Sequence, residues 1–304
     1  MEREFHRWLK TQTVPDSVRA DILIGIGDDA AILKGSDDLT VISTDTIAEG
    51  THFELGKHSL ELIGRKALAV NLSDLAAMAA RPVATVLSFL LPRSFGLGEA
   101  QSLFTGIAKL ADEFDVAIVG GDTNTWDGPL VLGATVIGRR GSRRSGWTID
   151  GANPGDGIVV SGSFGGSIHG RHLTFSPRVE LALYLAEHYN INAATDVSDS
   201  LSLDLSALAS SSGVGVDIDS SAIPISADVN QSDPIIALQH ALCDGEDFEL
   251  IMALRQSEIG RLMADSNVPC DLTVLGTATD EHLELRTLDD EGSWITVTPR
   301  GYVH

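Results

Sequence analysis

Hydrophobic residues recur along the chain with two different periods. A β-branched run that ends in polar residues at 39–46 and a continuous apolar run at 83–91 are typical of strands. The three- and four-residue spacing of apolar residues after Ser59 is typical of a helix that Pro82 ends. The same periods predict further strands at 116–121, 130–139, 157–163 and 213–219, and further helices at 98–114, 177–189 and 199–210. The alternation continues to residue 278 and predicts a mixed α/β fold.

The stretch 140–157 follows neither period. It holds Gly, Arg, Asn and Pro where apolar residues would otherwise recur, so it is the best candidate for a junction between domains. A chain of 304 residues is long enough for two domains of about 150 residues each. We therefore expect an N-terminal domain at 1–140 and a C-terminal α/β domain at 150–304.

The charge balance excludes whole classes of partner. The chain has 43 acidic and 21 basic residues, a net charge of −22, and such a surface repels nucleic acid. Metal ions can still bridge carboxylates to a phosphorylated small molecule. No apolar stretch approaches the length of about 20 residues that crosses a bilayer. Two cysteines fit reduced thiols, so we expect a cytoplasmic protein without membrane or nucleic-acid partners.

Aspartates stand where several predicted elements end. Asp45 ends the first clear strand, Asp122 follows Gly120-Gly121 after another strand, and Asp74 closes a motif that begins at Asn71. This motif returns at 196–199, and i,i+3 spacing on a helix places its first and last side chains on one face. Converging carboxylates repel one another unless a cation binds, and Mg²⁺ prefers such oxygen ligands. The pattern indicates a magnesium site suited to phosphoryl transfer.

Other kinds of site fit the sequence less well. Many aspartates cap helices and turns, an interpretation that we assign to Asp28, Asp37, Asp38, Asp127 and Asp156. No P-loop, glycine-rich dinucleotide motif or zinc motif occurs. No histidine has the carboxylate partner expected of a covalent phosphohistidine, and His172 is interpreted as a surface residue. We therefore expect no covalent catalytic nucleophile.

Several motifs together resemble the thiamine-monophosphate kinase family. In the N-terminal half they are Gly25-Ile-Gly-Asp-Asp-Ala-Ala31, Ile42-Ser-Thr-Asp-Thr46, Gly50-Thr-His-Phe53, the helical segment 66–78 and Gly120-Gly-Asp-Thr123. In the C-terminal half they are Asn153-Pro-Gly-Asp156, Asp196-Val-Ser-Asp199, Gly245-Glu-Asp-Phe-Glu249 and Gly301-Tyr302. Order and spacing match across the N-terminal half, and the resemblance covers almost the whole chain.

The resemblance implies a two-domain fold shared with aminoimidazole-ribonucleotide synthetase and selenophosphate synthetase. In such proteins the N-terminal domains pair through their sheets in a homodimer, and ATP and several Mg²⁺ ions lie in a cleft between the two domains. The family reaction passes the γ-phosphoryl group of ATP directly to thiamine monophosphate and gives the diphosphate. The implied substrates are therefore ATP and thiamine monophosphate, with Mg²⁺ as cofactor.

Residue by residue, the resemblance assigns three sets of site residues. The metal ligands fall on Asp29, Ser43, Thr44, Asp45, Asp74, Asp122, Asp196 and Asp199. The nucleotide contacts fall on Gly121, Asp122, Ser198 and Arg144, and the substrate side has His52, Glu246 and Tyr302. The chain departs from the family pattern at Ser200, where Gly is usual, at Asp244, and through an insertion at 146–151 that makes Arg143 an alternative to Arg144.

Two classes of function stay open at this point. The first is the thiamine-phosphate kinase. The second is another ATP-using member of the superfamily, of the selenophosphate or purine-pathway synthetase type, or a divergent nucleotide-binding protein. Selenophosphate synthesis would need a reactive Cys near the N-terminus, and no Cys precedes Cys243. The full set of carboxylates favours a catalytic protein.

Overall fold

A computed structural model describes residues 22–24, 28, 30–34, 38–141, 147–289 and 291–302. Contacts divide the chain into two units, Met1–Leu75 with Ala80–Arg143, and Ala76–Ala79 with Arg144–Val303. Each unit combines one β-sheet with helices, which gives the mixed α/β architecture expected from the sequence. Within the described part of the chain, every helix is too short or too polar to span a bilayer.

The first unit is built on a six-stranded sheet. Its strands are β1 (Ile22–Ile24), β2 (Ala31–Lys34), β3 (Asp38–Ala48), β4 (Arg81–Pro92), β5 (Ala117–Trp126) and β6 (Val131–Gly141), and its helices are α1 (Leu60–Ala77) and α2 (Leu97–Glu113). The spatial order is β1-β2-β3-β6-β4-β5, and β5 runs parallel to its neighbour β4. β5 therefore lies at an edge of the described sheet.

Helices α1 and α2 approach closely because glycines stand at their contact. A Cβ atom at Gly64 would collide with the carbonyl oxygen of Leu103, and one at Gly106 would collide with that of Glu61. From Lys66 onward, α1 is buried almost all round. Polar side chains on such a helix are unfavourable unless they have partners, so those that α1 carries point to a functional role.

The second unit is built on a seven-stranded sheet in the order β13-β12-β9-β11-β7-β10-β8. Its strands are β7 (Asp156–Ser161), β8 (Ile191–Asp196), β9 (Gly215–Ile218), β10 (Leu250–Arg255), β11 (Leu272–Thr279), β12 (Leu285–Leu288) and β13 (Trp294–Thr296). Its helices are α3 (Arg171–Thr174), α4 (Val179–His188), α5 (Leu201–Ser212), α6 (Pro234–Cys243) and α7 (Gln256–Met263). A core of buried aliphatic side chains lies between this sheet and helices such as α5.

The predicted helices and strands are present with shifted ends, and some strands were missed. β5 continues to Trp126, beyond the end predicted at 121, because β4 is long enough to pair with it as far as Pro92. The strand Ile191–Asp196 was missed because Asn and two alanines give it little β-branched character. Pairing with β10 along its length overrides that weak local preference.

Candidate functional site

One group of predicted site residues lies where β3 faces α1. The buried hydroxyl of Ser43 donates a hydrogen bond to the Asp74 carboxylate on α1. The backbone N–H of Asp45 donates to Oδ1 of Asn71 at 2.9 Å, and Nδ2 of Asn71 donates to the carbonyl oxygen of Ala67 at 3.0 Å. Asn71 therefore fixes the backbone at Asp45, whose side chain is exposed.

The other predicted metal ligands of the first unit have different surroundings. Successive side chains on a strand point to opposite faces, so Thr44 lies on the other face of β3 from Ser43 and Asp45. Its hydroxyl lies 2.8 Å from that of Thr135. Asp122 is exposed and accepts a hydrogen bond from Nδ2 of Asn124 at 2.7 Å. Asp29 lies outside the described residues. Among those described, no group of three or more His, Cys, Asp and Glu side chains is arranged to hold a metal ion.

His52 occupies the turn that follows β3 and is anchored twice. Its Nδ1 accepts a hydrogen bond from the N–H of Ala48 at 3.1 Å, and its carbonyl oxygen accepts one from Nζ of Lys66 at 2.9 Å. Lys66 is wholly buried on α1. The sequence motifs do not reveal this positioning role, although a lysine within an apolar helix is a usable signal of one.

The expectation that Asp196 and Asp199 share a helical face is wrong. Asp196 is the last residue of β8 and is buried, whereas α5 begins only at Leu201. Helical spacing therefore does not apply within 196–199, because these residues lie before the helix begins. The repeated motif has two different local structures in the two units.

The loop 196–200 is fixed by a carboxylate within α5. The N–H groups of Asp199 and Ser200 both donate to Asp204 at 3.0 Å. Burial, followed by the negative charge of Asp199 and then that of Asp196, raises the pKa of Asp204 well above its usual range. These carboxylates repel one another, and a bound cation would relieve that repulsion.

Glu246 is held in a left-handed conformation beside this loop. Its φ is +61°, its N–H donates to the carbonyl oxygen of Ser198 at 2.7 Å, and its own carbonyl oxygen accepts from the Ser167 hydroxyl at 2.6 Å. Its carboxylate lies 3.2 Å from Nδ1 of His172. Backbone and side chain are thus both positioned, which suits a residue that binds a ligand.

The interpretation of His172 as a surface residue is wrong, because the residue is wholly buried. The expectation that histidines lack carboxylate partners is wrong as well, since His172 faces Glu246 and His240 faces Asp244 at 3.0 Å. The first pair joins residues distant in sequence, so no local motif could reveal it. The extra carboxylate at Asp244 also accepts the N–H of Gly166 at 2.8 Å, so it ties this segment to its surroundings.

Tyr302 and Gly121 complete the described set of predicted contacts. The N–H of Tyr302 donates to the carbonyl oxygen of Asp199 at 3.1 Å. A Cβ atom at Gly121 would collide with the carbonyl oxygen of Leu87, so only glycine fits between β4 and β5 there. Arg144 and its alternative Arg143 lie outside the described residues.

Asp247, next to Glu246, gives a pH prediction. It is buried, accepts from the N–H of Gly165 at 3.1 Å, and pairs with Arg171 at 2.8 Å. Burial raises its pKa to about 7 in spite of Arg171. Since the unfolded carboxyl has a pKa of about 3.9, folded Asp247 retains a proton between these values, and its contribution to stability falls as pH rises from about 4 to about 7.

We expect Asp247→Asn to show a shallower fall in unfolding free energy, because Asn stays neutral. The difference in unfolding free energy between wild type and variant should change by about 2 kcal/mol between about pH 5 and about pH 8. The wild type should lose more stability than the variant over this range. Urea unfolding at several pH values across this range measures the change. Asp228→Asn removes the other ion-pair partner of Arg171 and is the matched control. A wild-type–variant difference independent of pH would contradict the assignment.

Comparison with known proteins identifies the family of the chain, which the geometry of the site alone does not. Residues 27–140 match the family described as AIR synthase related protein, N-terminal domain. A thiamine-monophosphate kinase of Rhodopirellula baltica is 38% identical over 271 residues, which cover 85% of this chain and 83% of the relative. The chain belongs to the thiamine-monophosphate kinase family. The Escherichia coli K12 thiamine-monophosphate kinase is 34% identical, and the match covers 95% of this chain and 94% of the relative.

Solved structures agree with this membership. A thiamine-monophosphate kinase from Stenotrophomonas maltophilia K279a has a TM-score of 0.74 at 32% identity, with 96% of each chain covered. AaThiL complexed with AMPPCP and TMP has a TM-score of 0.80, with 99% of this chain and 94% of the other covered, and at 23% identity that likeness shows the fold. The family indicated by the sequence motifs is confirmed, in preference to the other superfamily members.

Proposed function

We propose that the chain transfers the γ-phosphoryl group of ATP directly to the phosphate of thiamine monophosphate, which gives thiamine diphosphate. Family membership makes the chain a thiamine-phosphate kinase, and the observation that carries the proposal is 38% identity across 85% of the chain to such a kinase. The AaThiL complex with AMPPCP, an ATP analogue, and TMP supports both substrates. The product places the enzyme in thiamine diphosphate biosynthesis.

Mg²⁺ is the proposed cofactor, and the donor set fits it. Exposed carboxylates such as Asp45 and Asp122 in the first unit, and the mutually repelling carboxylates at 196–204 in the second, are hard oxygen donors. The proposed ligands are Asp29, Ser43, Thr44, Asp45, Asp74, Asp122, Asp196 and Asp199. Bound Mg²⁺ would neutralise negative charge on the phosphates, which is the main requirement of phosphoryl transfer.

The proposed substrate contacts follow from side-chain chemistry. Thiamine carries a cationic ring, which the Glu246 carboxylate attracts and an aromatic ring such as Tyr302 can cover. His52 is proposed to bind the acceptor, and the hydrogen bond from the N–H of Ala48 to its Nδ1 holds the ring in place. The proposed nucleotide contacts are Gly121, Asp122, Arg144 and Ser198.

A phosphate-transfer assay tests the proposed function. Purified protein is incubated with ATP, Mg²⁺ and thiamine monophosphate, and thiamine diphosphate is measured by chromatography. Unphosphorylated thiamine, selenide and aminoimidazole precursors are the alternative acceptors. Transfer to thiamine monophosphate alone supports the proposal, and transfer to one of the others in its place contradicts it.

We also propose that the first units of two copies pair through their sheets. β5 is an edge strand with one described neighbour, and almost all of its residues are exposed. Apolar side chains on β4 and β5 are exposed too, namely Val86, Leu90 and Val119, the last at 61%. An edge of this kind favours association with another chain, and a second copy supplies the matching surface.

Val119→Lys is expected to convert the dimer into a monomer, because a buried charge and lost apolar contact both oppose pairing. Light scattering at micromolar protein gives the mass of each form. Leu97→Lys, at an exposed apolar position on α2, is the matched control and should stay dimeric. A monomeric wild type, or a Val119→Lys dimer, would contradict this interface.

A further inference from the structure

The C-terminal segment 300–302 is tied to the start of α5 by two serines. The hydroxyls of Ser200 and Ser202 donate to the carbonyl oxygen of Arg300 at 2.7 and 2.8 Å. The N–H of Arg300 in turn donates to Oγ of Ser202 at 3.1 Å. Both serines are buried, so these hydrogen bonds are shielded from water.

Backbone contacts continue this attachment to Tyr302. Gly301 packs so closely on the loop before α5 that a Cβ atom there would lie 2.6 Å from the carbonyl oxygen of Asp199. The N–H of Tyr302 then donates to that same oxygen at 3.1 Å. The N–H of Glu246 donates to the carbonyl oxygen of the preceding residue, Ser198, at 2.7 Å, so Tyr302 and Glu246 are bonded to consecutive residues of one loop.

We infer that Ser200 and Ser202 are positioning residues for the acceptor, because they hold segment 300–302 so that Tyr302 lies beside Glu246. This rests on the proposed function, in which Glu246 and Tyr302 bind thiamine monophosphate. Neither serine touches the substrate, and each acts through the backbone of Arg300. Where the family pattern has Gly, the Ser200 side chain supplies one of the two hydroxyls that hold this segment.

The two serines differ in a way that allows their roles to be separated. Oγ of Ser200 also accepts the N–H of Leu203 at 3.1 Å and so caps α5, whereas Ser202 binds the backbone of Arg300 both as donor and as acceptor. Glycine caps helices nearly as well as serine, so Ser200→Gly removes the contact to Arg300 with little loss of helix stability. Ser202→Ala removes the other contact and leaves the capping hydroxyl in place.

The test uses the full chain with Ser200→Gly, Ser202→Ala and the double variant. We expect the double variant to raise KM for thiamine monophosphate about tenfold, with kcat and KM for ATP nearly unchanged. Hydrogen exchange in the ligand-free protein should show the Tyr302 amide exchanging at least about tenfold faster. Ser206→Ala is the matched control, because the Ser206 hydroxyl on the same helix has no hydrogen-bond partner in the described structure.

The inference requires both the rise in KM for thiamine monophosphate and the faster exchange of the Tyr302 amide. An unchanged KM for thiamine monophosphate, an unchanged exchange rate at Tyr302, or equal effects from Ser206→Ala would each overturn the inference. Exchange is measured without substrate, so it remains informative if the wild type transfers no phosphate to thiamine monophosphate. That last result would contradict the proposed function, whereas active wild type with an unaffected double variant would contradict only the positioning role.

Discussion

Replacing Asp45 with Asn is expected to lower kcat/KM by at least about 100-fold, since the variant keeps the shape of the side chain and loses the charge that would hold Mg²⁺. The fold should not change. The carboxylate is exposed, and the backbone N–H of residue 45 keeps its bond to Asn71. Steady-state kinetics over a range of Mg²⁺ concentrations, together with urea unfolding, measures both effects.

The Mg²⁺ dependence makes this prediction specific. Loss of a metal ligand should raise the Mg²⁺ concentration needed for half-maximal rate, whereas a general loss of folding should lower the rate at every concentration. Asp112→Asn makes the same charge change at an exposed position on α2 and is expected to leave activity and stability near wild type. Near-normal turnover of Asp45→Asn at ordinary Mg²⁺ would show that Asp45 is not a metal ligand.

The elements that carry this site could be predicted because strong local signals specify them. β3 is rich in β-branched residues. α1 has apolar residues at helical spacing, a serine just before its first residue and a proline after its end. The hydrogen bond from Ser43 to Asp74 then follows from packing α1 on that strand. The sequence motifs already assigned Ser43 and Asp74 to one site. Only the folded structure shows that their side chains are hydrogen-bonded.

The contacts around Glu246 could not be predicted in the same way. Left-handed backbone at Glu246 and Phe248, both non-glycine residues, is maintained by tertiary contacts that the local sequence does not encode. The bond from Glu246 to Ser198 and the pair with His172 join segments far apart in the chain. Similarly, the local sequence around Ser200 indicates a helix cap, and only the fold shows that this serine also binds Arg300.

We also expect the γ-phosphoryl group to pass from ATP to thiamine monophosphate in a single step, without a phosphorylated enzyme. The acceptor is a phosphate oxygen that is already anionic near neutral pH, because the second pKa of a phosphomonoester is about 6. It needs little help from a general base, and a loose transition state requires alignment and charge neutralisation. The carboxylates proposed to bind Mg²⁺ are suited to that task.

The histidines give the competing mechanism its best candidates. His172 has a carboxylate partner but is wholly buried, which prevents contact with a nucleotide phosphate in the described conformation. His52 is partly exposed, and its Nδ1 accepts a hydrogen bond from the N–H of Ala48, which fixes the ring. If His52 only binds the acceptor, His52→Gln should raise KM for thiamine monophosphate about tenfold and change kcat by less than about threefold.

Two measurements distinguish the mechanisms whatever the effect of that variant. Incubation with γ-labelled ATP and Mg²⁺, without acceptor, should leave no stoichiometric label on the protein. With ATP made chiral at the γ-phosphorus, one in-line displacement inverts the configuration, whereas two displacements through a phosphorylated residue retain it. We expect inversion, because the acceptor oxygen attacks as the bond to ADP breaks. Label that is chased from the protein into thiamine diphosphate, or retention of configuration, would establish a covalent intermediate and make His52 the first residue to examine.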